Sequence, residues 1–406
     1  MIRPELLAPA GDMEKLKTAF YFGADAAYAG GKDLSLRAGA GGFTDGEFKE
    51  AVRFSHALGK KLYAAVNIFC KNSDLKPAED YVKFLAETGV DGVIVSDPGI
   101  LCAARRIAPE LPVSLSTQAN VLNAAAAKFW HAAGVSRVIL ARELSLKEIA
   151  EIHAAVPEVE LETFVHGAMC ISYSGRCLLS DYRAGRPSNR GECVQACRWN
   201  YELREKGSGG AYMDIEEDGR GTYILNSKDL CLINYLPQLA AAGVASFKIE
   251  GRMKSEYYLA TVVNAYRRAL DAYYEKGEEY LNDPVFMAEL EKTAHREFTT
   301  AFLLGENDRT ENFADSQSRG THVFVAKVLS YDGAKGFAAV EMRNRFRTGD
   351  ELEVLSPSDS FNKIIRVGKM EDESGNAIED VKKVQQKVYI RTEVPLAAGD
   401  ILRRKA

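Results

Sequence analysis

The sequence predicts an α/β fold: a (β/α)8 TIM-like barrel with a Cys-rich insertion, followed by a small C-terminal β-barrel domain. Up to about residue 276, short apolar runs alternate with longer segments of helical periodicity, which is typical of repeated βα units around parallel strands. Beyond residue 319 the pattern changes to short strands separated by turn residues. A chain of 406 residues can bury one large core and still supply a second, smaller domain.

Eight strands alternating with eight helices predict that the barrel is closed. The predicted barrel strands are 5–10, 26–29, 62–67, 92–97, 113–118, 137–142, 160–166 and 246–251. The predicted helices are 13–24, 46–58, 77–89, 98–108, 120–133, 145–155, 232–243 and 254–276, several of them after a polar cap such as Asp12, Thr44 or Ser145.

Three segments follow from this pattern. We expect a barrel domain over residues 1–280 with an insertion at 167–245, a helical connector at 281–318 and the C-terminal domain at 319–406. The insertion is rich in Gly, Arg and Cys, and its acidic part, 206–220, is predicted to be a hairpin or lid. The C-terminal strands are predicted at 323–329, 336–340, 351–354, 364–370 and 388–391, two of them entered from Gly-Asp turns.

Charge and hydropathy limit the class of partner. A net charge of −5 argues against nucleic-acid binding over the whole surface, so an RNA partner needs a local basic patch. The insertion offers arginines interleaved with aromatic residues, which stack on unpaired bases; the alternative is a solvated loop. This patch comprises Arg176, Arg183, Arg186, Arg190, Arg198 and Arg204 with Tyr173, Tyr182, Trp199 and Tyr201. The chain shows neither a signal-peptide pattern nor an apolar run of about 18 residues, so we expect a cytoplasmic protein without a membrane partner.

Polar residues end several of the predicted barrel strands. Barrel enzymes place their chemistry at the carboxyl ends of the strands, so these residues are candidates for a site, with a structural hydrogen bond as the alternative for each. They are Asn67, Asp97, Gln118, Arg142, Glu143, His166, Lys248, Glu250 and Arg252.

Five of the seven cysteines belong to the insertion: Cys170, Cys177, Cys193, Cys197 and Cys231. In the cytoplasm such a group indicates metal ligands or reactive thiols rather than disulfides. The wide, irregular spacing differs from the CxxC knuckles of structural zinc sites, but spacing alone leaves an iron–sulfur cluster, zinc and unligated thiols open. Cys70 and Cys102 have apolar neighbours and are predicted to be buried.

The segment from Glu162 to Ser180, ETFVHGAMCISYSGRCLLS, resembles the signature of the U32 peptidase family. Further phrases agree with that family: PELLAPAGD from Pro4, GECVQACRW from Gly191, NSKDLC from Asn226 and FKIEGRMK from Phe247. The resemblance covers the whole chain.

Within this family, the chain is most similar to members that hydroxylate tRNA. The resemblance implies formation of 5-hydroxyuridine at the wobble position, without O2 and with prephenate as a co-substrate. It also implies a [4Fe–4S] cluster bound by Cys170, Cys177, Cys193 and Cys231, with Cys197 as the alternative fourth ligand. Other members hydroxylate ribosomal RNA or a quinone precursor, and members act in pairs, which implies a homo- or hetero-oligomer.

The roles of single residues follow as hypotheses. Arg176, Arg183, Arg190 and Arg198 would bind the RNA, and Arg142, Arg252, Asn67 and Gln118 would bind substrate at the barrel mouth together with Lys248. His166, Glu250 and Lys248 are the catalytic candidates. Two other functions stay open: a collagenase-like peptidase with a His166–Cys170 pair, which requires an unligated thiol, and an iron–sulfur partner subunit.

Overall fold

The computed structural model describes residues 3–32, 34–35, 42–170, 172–199, 217–218, 221–222, 227–305 and 318–406. Tyr201, Arg204 and most of the predicted hairpin at 206–220 lie outside these residues. The chain forms two compact units. The first contains Met1–Leu16, Ala24–Met253 and His295–Ser318, and the second contains Lys17–Gly23, Lys254–Ala294 and Arg319–Ala406.

The first unit is a closed barrel of eight parallel strands. Seven strands pair in chain order, and the eighth, β11, pairs with both β7 and β1. This closure confirms the predicted TIM-like barrel. The strands are β1 Glu5–Ala10, β2 Ala26–Gly30, β3 Lys61–Val66, β4 Gly92–Val95, β5 Val113–Leu115, β6 Arg137–Ile139, β7 Glu160–Ala168 and β11 Val244–Ile249.

Helices alternate with these strands as predicted. Thr44 and Ser145 form capping boxes with Glu47 and Glu148, which satisfies backbone N–H groups at the starts of two helices. The helices are α1 Met13–Tyr21, α2 Asp45–Ala57, α3 Asn72–Thr88, α4 Pro98–Ile107, α5 Ala124–Ala132, α6 Leu146–Ala155, α7 Leu179–Ala184, α8 Leu236–Ala241, α9 Glu256–Lys276 and α10 Val285–Leu290. Helix α3 begins five residues before the predicted start, so Pro77 lies inside it. None of the helices in the described part of the chain has both the length and the apolar character that a bilayer span requires.

Two short strands, one in the insertion and one after α10, extend the barrel sheet beside β7. Strand β10, Asp229–Cys231, pairs antiparallel with β7, and β12, Phe298–Thr299, pairs parallel with β10. The two-residue strands β8, Glu217–Asp218, and β9, Gly221–Thr222, form an antiparallel pair; β8 falls within the predicted hairpin at 206–220 and β9 follows it.

The second unit contains an eight-stranded antiparallel sheet, which confirms the predicted C-terminal β-domain. Its core consists of side chains such as Val325, Val340 and Leu402. The Gly-Asp turns precede β16 and β22 as predicted, whereas the predicted strand 364–370 is divided into β17 and β18. The strands are β13 His322–Asp332, β14 Phe337–Met342, β15 Phe346–Arg347, β16 Glu351–Leu355, β17 Ile364–Arg366, β18 Met370–Asp372, β19 Ala377–Ile378, β20 Asp380–Val381, β21 Lys387–Arg391 and β22 Ile401–Lys405.

The second unit also includes α9 and α10. Residues 254–276, which we predicted to be the last helix of the barrel domain, therefore group with the C-terminal sheet by their contacts. A buried ion pair helps to hold this unit together: the Arg403 guanidinium donates two hydrogen bonds to the Glu289 carboxylate, at 2.5 and 2.7 Å.

Candidate active site

A cavity of about 230 Å3 opens at the carboxyl ends of the barrel strands and lies entirely within the first unit. Its walls come from the residues that follow the strands and from the insertion. Twelve residues that the sequence singled out line it: Asn67, Gln118, Arg142, Cys170, Tyr173, Cys177, Cys193, Cys197, Arg198, Lys248, Glu250 and Arg252. The cavity is thus where the barrel rule predicts a site.

The floor of the cavity combines aromatic rings with a buried ammonium. Tyr28 and Phe164 line it, and Lys248, only 3% exposed, lies with its Nζ 4.3 Å from the Tyr28 ring centroid. This Nζ donates a hydrogen bond to Glu162 Oε1 at 2.8 Å. Burial lowers the pKa of Lys248, and the Glu162 carboxylate opposes that shift. The Lys248 amine therefore lies against aromatic rings, with the Glu162 carboxylate as its ionic partner.

Arg142 connects one strand end to the insertion. Its Nη1 donates to the Ala168 carbonyl at 2.9 Å and its Nη2 donates to Ser174 Oγ at 3.3 Å. Its Nε and the Nε2 of Gln118 are buried and have no hydrogen-bond partner among the described residues. Both groups are donors in residues that line the cavity, so they favour a ligand with acceptor atoms.

The cysteine-bearing loop rests directly on a strand end. Gly175 has φ +77°, and a Cβ at this position would lie 2.5 Å from the Gln118 carbonyl oxygen, so only glycine allows this approach. The loop is also connected to itself: Ser188 Oγ donates to the Cys177 carbonyl at 3.0 Å, and Asn189 Nδ2 donates to the Gly175 carbonyl at 3.1 Å.

Four thiols line one cavity. The Cys170 thiol donates a hydrogen bond to the Cys177 sulfur, which raises the pKa of Cys170 and lowers the pKa of Cys177. Burial raises the pKa of Cys197 and the neighbouring Arg198 opposes it. Metals bind the thiolate form of cysteine, and the lowered pKa of Cys177 favours that form.

The set of donors fits an iron–sulfur cluster by its chemistry. Sulfur is the only protein ligand that common [4Fe–4S] clusters need, and each thiolate binds a different iron. Within the described ranges, no three Cys, His, Asp or Glu side chains converge on one point as a single ion requires. Cys231 has a different position: it is buried on β10 opposite His166 and is not among the cavity-lining residues.

Other predicted site residues lie outside the cavity lining. His166, 2% exposed, packs against Phe298 with their ring centroids 5.6 Å apart. Arg190 pairs with Asp74 at 2.7 Å and donates to the Phe69 carbonyl at 2.8 Å. Arg176 and Arg183 are exposed on the insertion.

The prediction for the two remaining cysteines needs correction. Cys102 is exposed on α4, and Cys70 is half-buried. The apolar neighbours of Cys102 face the core from the same helix, and a periodicity of 3.6 residues places the thiol on the other side.

Glu162 is the functional candidate that the strand-end rule missed. It is buried as the third residue of β7, where its two oxygens accept from Lys248 and from Arg137 Nη1, the latter at 3.2 Å. The signal was a charged residue inside a predicted barrel strand, because such a charge is buried only when it is paired.

Comparisons with known proteins agree with this architecture. The model of peptidase family U32 matches residues 11–312, and the model of the U32 C-terminal domain matches residues 320–403. The chain is similar to the tRNA hydroxylation protein P1 of Bacillus subtilis (strain 168), with 41% identity over 99% of this chain and 95% of the relative. It is similar to the tRNA hydroxylation protein P of Escherichia coli (strain K12), with 39% identity over 93% and 91%.

A third relative is the 23S rRNA 5-hydroxycytidine C2501 synthase of Escherichia coli (strain K12), with 35% identity over 87% of this chain and 52% of that protein. The family models together span both units of the structure, and the relatives match most of the chain. The chain therefore belongs to peptidase family U32.

Proposed function

We propose that this protein hydroxylates RNA, and that its product is 5-hydroxyuridine at the wobble position of tRNA, formed without O2 and with prephenate as co-substrate. The observation that carries the proposal is one cavity that combines four thiols with the cationic groups of Lys248, Arg142, Arg198 and Arg252. Relatives named for tRNA hydroxylation and for 5-hydroxycytidine synthesis support the reaction class.

The cysteines would hold a [4Fe–4S] cluster. Cys170, Cys177 and Cys193 line the cavity and would supply three ligands. The fourth would be Cys231, which lies on β10 outside the cavity lining, or alternatively Cys197, the fourth thiol of the cavity. Replacing C5–H with C5–OH adds one oxygen atom to the base; with water as the oxygen source, the reaction releases two electrons and two protons. A bound cluster would pass these electrons, one at a time, to an external electron acceptor, a capacity that protein side chains lack.

The cations at the barrel mouth would orient the co-substrate. The carboxylates of prephenate are acceptors only, and they suit the Lys248 ammonium, the guanidinium groups of Arg142 and Arg252 and the unpartnered Gln118 Nε2. Asn67 lines the same wall and adds a polar contact.

Glu250 is the group that we assign to proton transfer. Its carboxylate lines the cavity, and a base that removes the C5 proton must reach the reacting atom. The Glu250 N–H donates to the His166 carbonyl at 2.9 Å, so His166 positions Glu250 through the backbone.

The surface beside the cavity would bind the tRNA anticodon strand. Arg176 and Arg183 are exposed there, together with Tyr182, which is 85% exposed, and Trp199. Guanidinium groups bind phosphates, and exposed rings stack on unpaired bases. Arg190, paired with Asp74, would hold this surface in place, and Arg198 would contact the base inside the cavity.

Peptidase activity is the second candidate in this family, but the cavity does not present its machinery. A cysteine peptidase needs a thiolate beside an oriented histidine. Here the Cys170 side chain forms a hydrogen bond with Cys177, and His166 does not line the cavity. Two other versions of the proposal remain. The substrate would be ribosomal RNA or a quinone precursor, or the protein would act as a partner subunit in a hetero-oligomer in the cytoplasm.

Nucleoside analysis of total tRNA tests the proposed reaction. In a strain that lacks this gene and any redundant pathway to the same nucleoside, we expect 5-hydroxyuridine and its derivatives to disappear and to return with the wild-type gene. Unchanged tRNA nucleosides in that strain would overturn the tRNA assignment. A loss confined to ribosomal RNA or to a quinone would assign the substrate elsewhere in the family.

A further inference from the structure

A chain of ionic contacts runs through the interior of the barrel beneath the cavity. Arg137 on β6 contacts Glu5 Oε1 at 2.8 Å, Glu160 Oε2 at 2.8 Å and Glu162 Oε2 at 3.2 Å. The other oxygen of Glu162 accepts from Lys248 Nζ at 2.8 Å. The contacts therefore connect four barrel strands to the floor of the cavity.

Fold stability alone explains poorly why these charged side chains are buried in the barrel. Moving ions out of water costs free energy that a buried ion pair only partly recovers, so apolar side chains of similar volume would stabilise a barrel interior at least as well. Arg137 and Lys248 are both nearly inaccessible to solvent, and Glu162 is 1% exposed. The arrangement instead fixes where one ammonium lies.

Glu162 is shared between two cations, so it neutralises the charge of Lys248 only in part. Arg137 takes one of the Glu162 oxygens and Lys248 takes the other. Arg137 is drawn away from the floor by Glu5 and Glu160. On the cavity side, Lys248 meets the faces of Tyr28 and Phe164, which attract a cation but accept no full hydrogen bond.

We propose that Glu162 is a positioning residue that keeps the Lys248 ammonium charged and pointed at the cavity floor, where it binds an anionic group of the substrate. Arg137 positions Glu162 in turn. The identity of the anion that Lys248 binds rests on the proposed function, whereas the protonation state of its amine does not. The proposed function and the role of Glu162 can therefore fail separately. Other charged or titratable groups near Lys248 are Arg252, Arg137 and Tyr28, and the two guanidinium groups oppose its protonation.

Reductive methylation measures the state of this amine directly, because only the neutral amine reacts. The purified full-length protein is treated with formaldehyde and a borohydride reagent across a pH series, and the Lys248 peptide is quantified by mass spectrometry against Lys147, which is exposed on α6. Glu162→Gln keeps the shape of the side chain and removes its charge. We expect Lys248 in this variant to react faster by a factor on the order of ten at the same pH, because its ionic partner is lost.

Glu160→Gln is the matched control. It removes another carboxylate from Arg137, on the same strand, but one without a contact to Lys248, so the reactivity of Lys248 should match the wild type. A Glu162→Gln profile that coincides with those of wild type and Glu160→Gln would overturn the proposal. If Glu162→Gln does not fold, Glu162→Asp, which withdraws the carboxylate by one methylene, should give a smaller increase, and wild-type reactivity of that variant would overturn the proposal equally.

Discussion

Replacing Gly175 with alanine tests whether the cysteine-bearing loop depends on a contact that only glycine permits. Its φ of +77° lies in the left-handed region, which costs a residue with a Cβ about 1–2 kcal/mol. The added Cβ would also lie 2.5 Å from the Gln118 carbonyl oxygen, so the backbone must shift, and overpacking of this kind costs about 1–3 kcal/mol. We therefore expect the loop to be destabilised by about 2–5 kcal/mol relative to its open form.

Gly185→Ala separates the two contributions. Gly185 ends α7 with φ +63°, and a Cβ there would meet nothing within 4 Å, so only the conformational cost remains. Native-state hydrogen exchange of the loop amides measures local opening, and each 1.4 kcal/mol is about tenfold in protection. Gly175→Ala should lose about five- to a hundredfold more protection than Gly185→Ala, which corresponds to the overpacking cost of about 1–3 kcal/mol. An equal loss in the two variants would refute the reasoning, because the close approach to Gln118 would then carry no cost.

Three further predictions concern other parts of the molecule. Arg403→Met removes two hydrogen bonds from the buried Glu289 carboxylate and leaves Lys292 Nζ, at 3.2 Å, as its cationic partner. It should destabilise the C-terminal domain by about 3 kcal/mol in urea unfolding, and a change below about 1 kcal/mol would contradict this. Burial raises the pKa of Glu353, but Arg403 and Lys292 hold that pKa below the ordinary value of 4.5, so the ionised carboxylate stabilises the fold above this pH and the stabilisation is lost as the pH falls. The difference in unfolding free energy between wild type and Glu353→Gln should therefore shrink on acidification. A difference that stays constant with pH would refute this prediction. Arg183→Ala should weaken binding of a tRNA anticodon stem-loop and lower the salt dependence of that binding by about one phosphate contact. Arg106 is exposed at the end of α4, and Arg106→Ala should change neither quantity. Equal effects of the two variants would argue against the proposed RNA surface.

Much of the barrel could be predicted because its strands are buried on both faces. Such strands are short apolar runs, and the helices between them carry local start signals such as Thr44 and Ser145. Strands β10 and β12 escaped prediction because they have three and two residues and, unlike the equally short β5 and β6, lie outside the regular alternation of strands and helices. Their pairing beside β7 is a tertiary effect.

The sequence predicted the part of the cavity lining that comes from residues at the ends of the barrel strands. Gln118, Arg142 and Lys248 line the cavity because side chains at the carboxyl ends of barrel strands converge. His166 does not line it, and the ladder between β7 and β11 shifts register at this point, where Lys248 pairs with Phe164 but Ile249 pairs with His166. Alternation along a sequence cannot reveal such an irregularity.

The role of Glu162 was likewise invisible to local pattern. Its partner Lys248 lies 86 residues away, and only closure of the barrel brings the two together. A buried carboxylate can be recognised from the sequence as unusual, but its partner comes from the topology.

The proposed redox site is tested most directly by the iron, acid-labile sulfide and zinc content and the absorption spectrum of protein purified without oxygen. Wild type and Cys102→Ala, which alters an exposed cysteine outside the cavity, should contain about four irons and four sulfides per chain. Cys170→Ala, Cys177→Ala and Cys193→Ala should lose them, and comparison of Cys231→Ala with Cys197→Ala identifies the fourth ligand. One zinc per chain, or wild-type protein that never acquires iron and sulfide, would contradict the proposed redox chemistry.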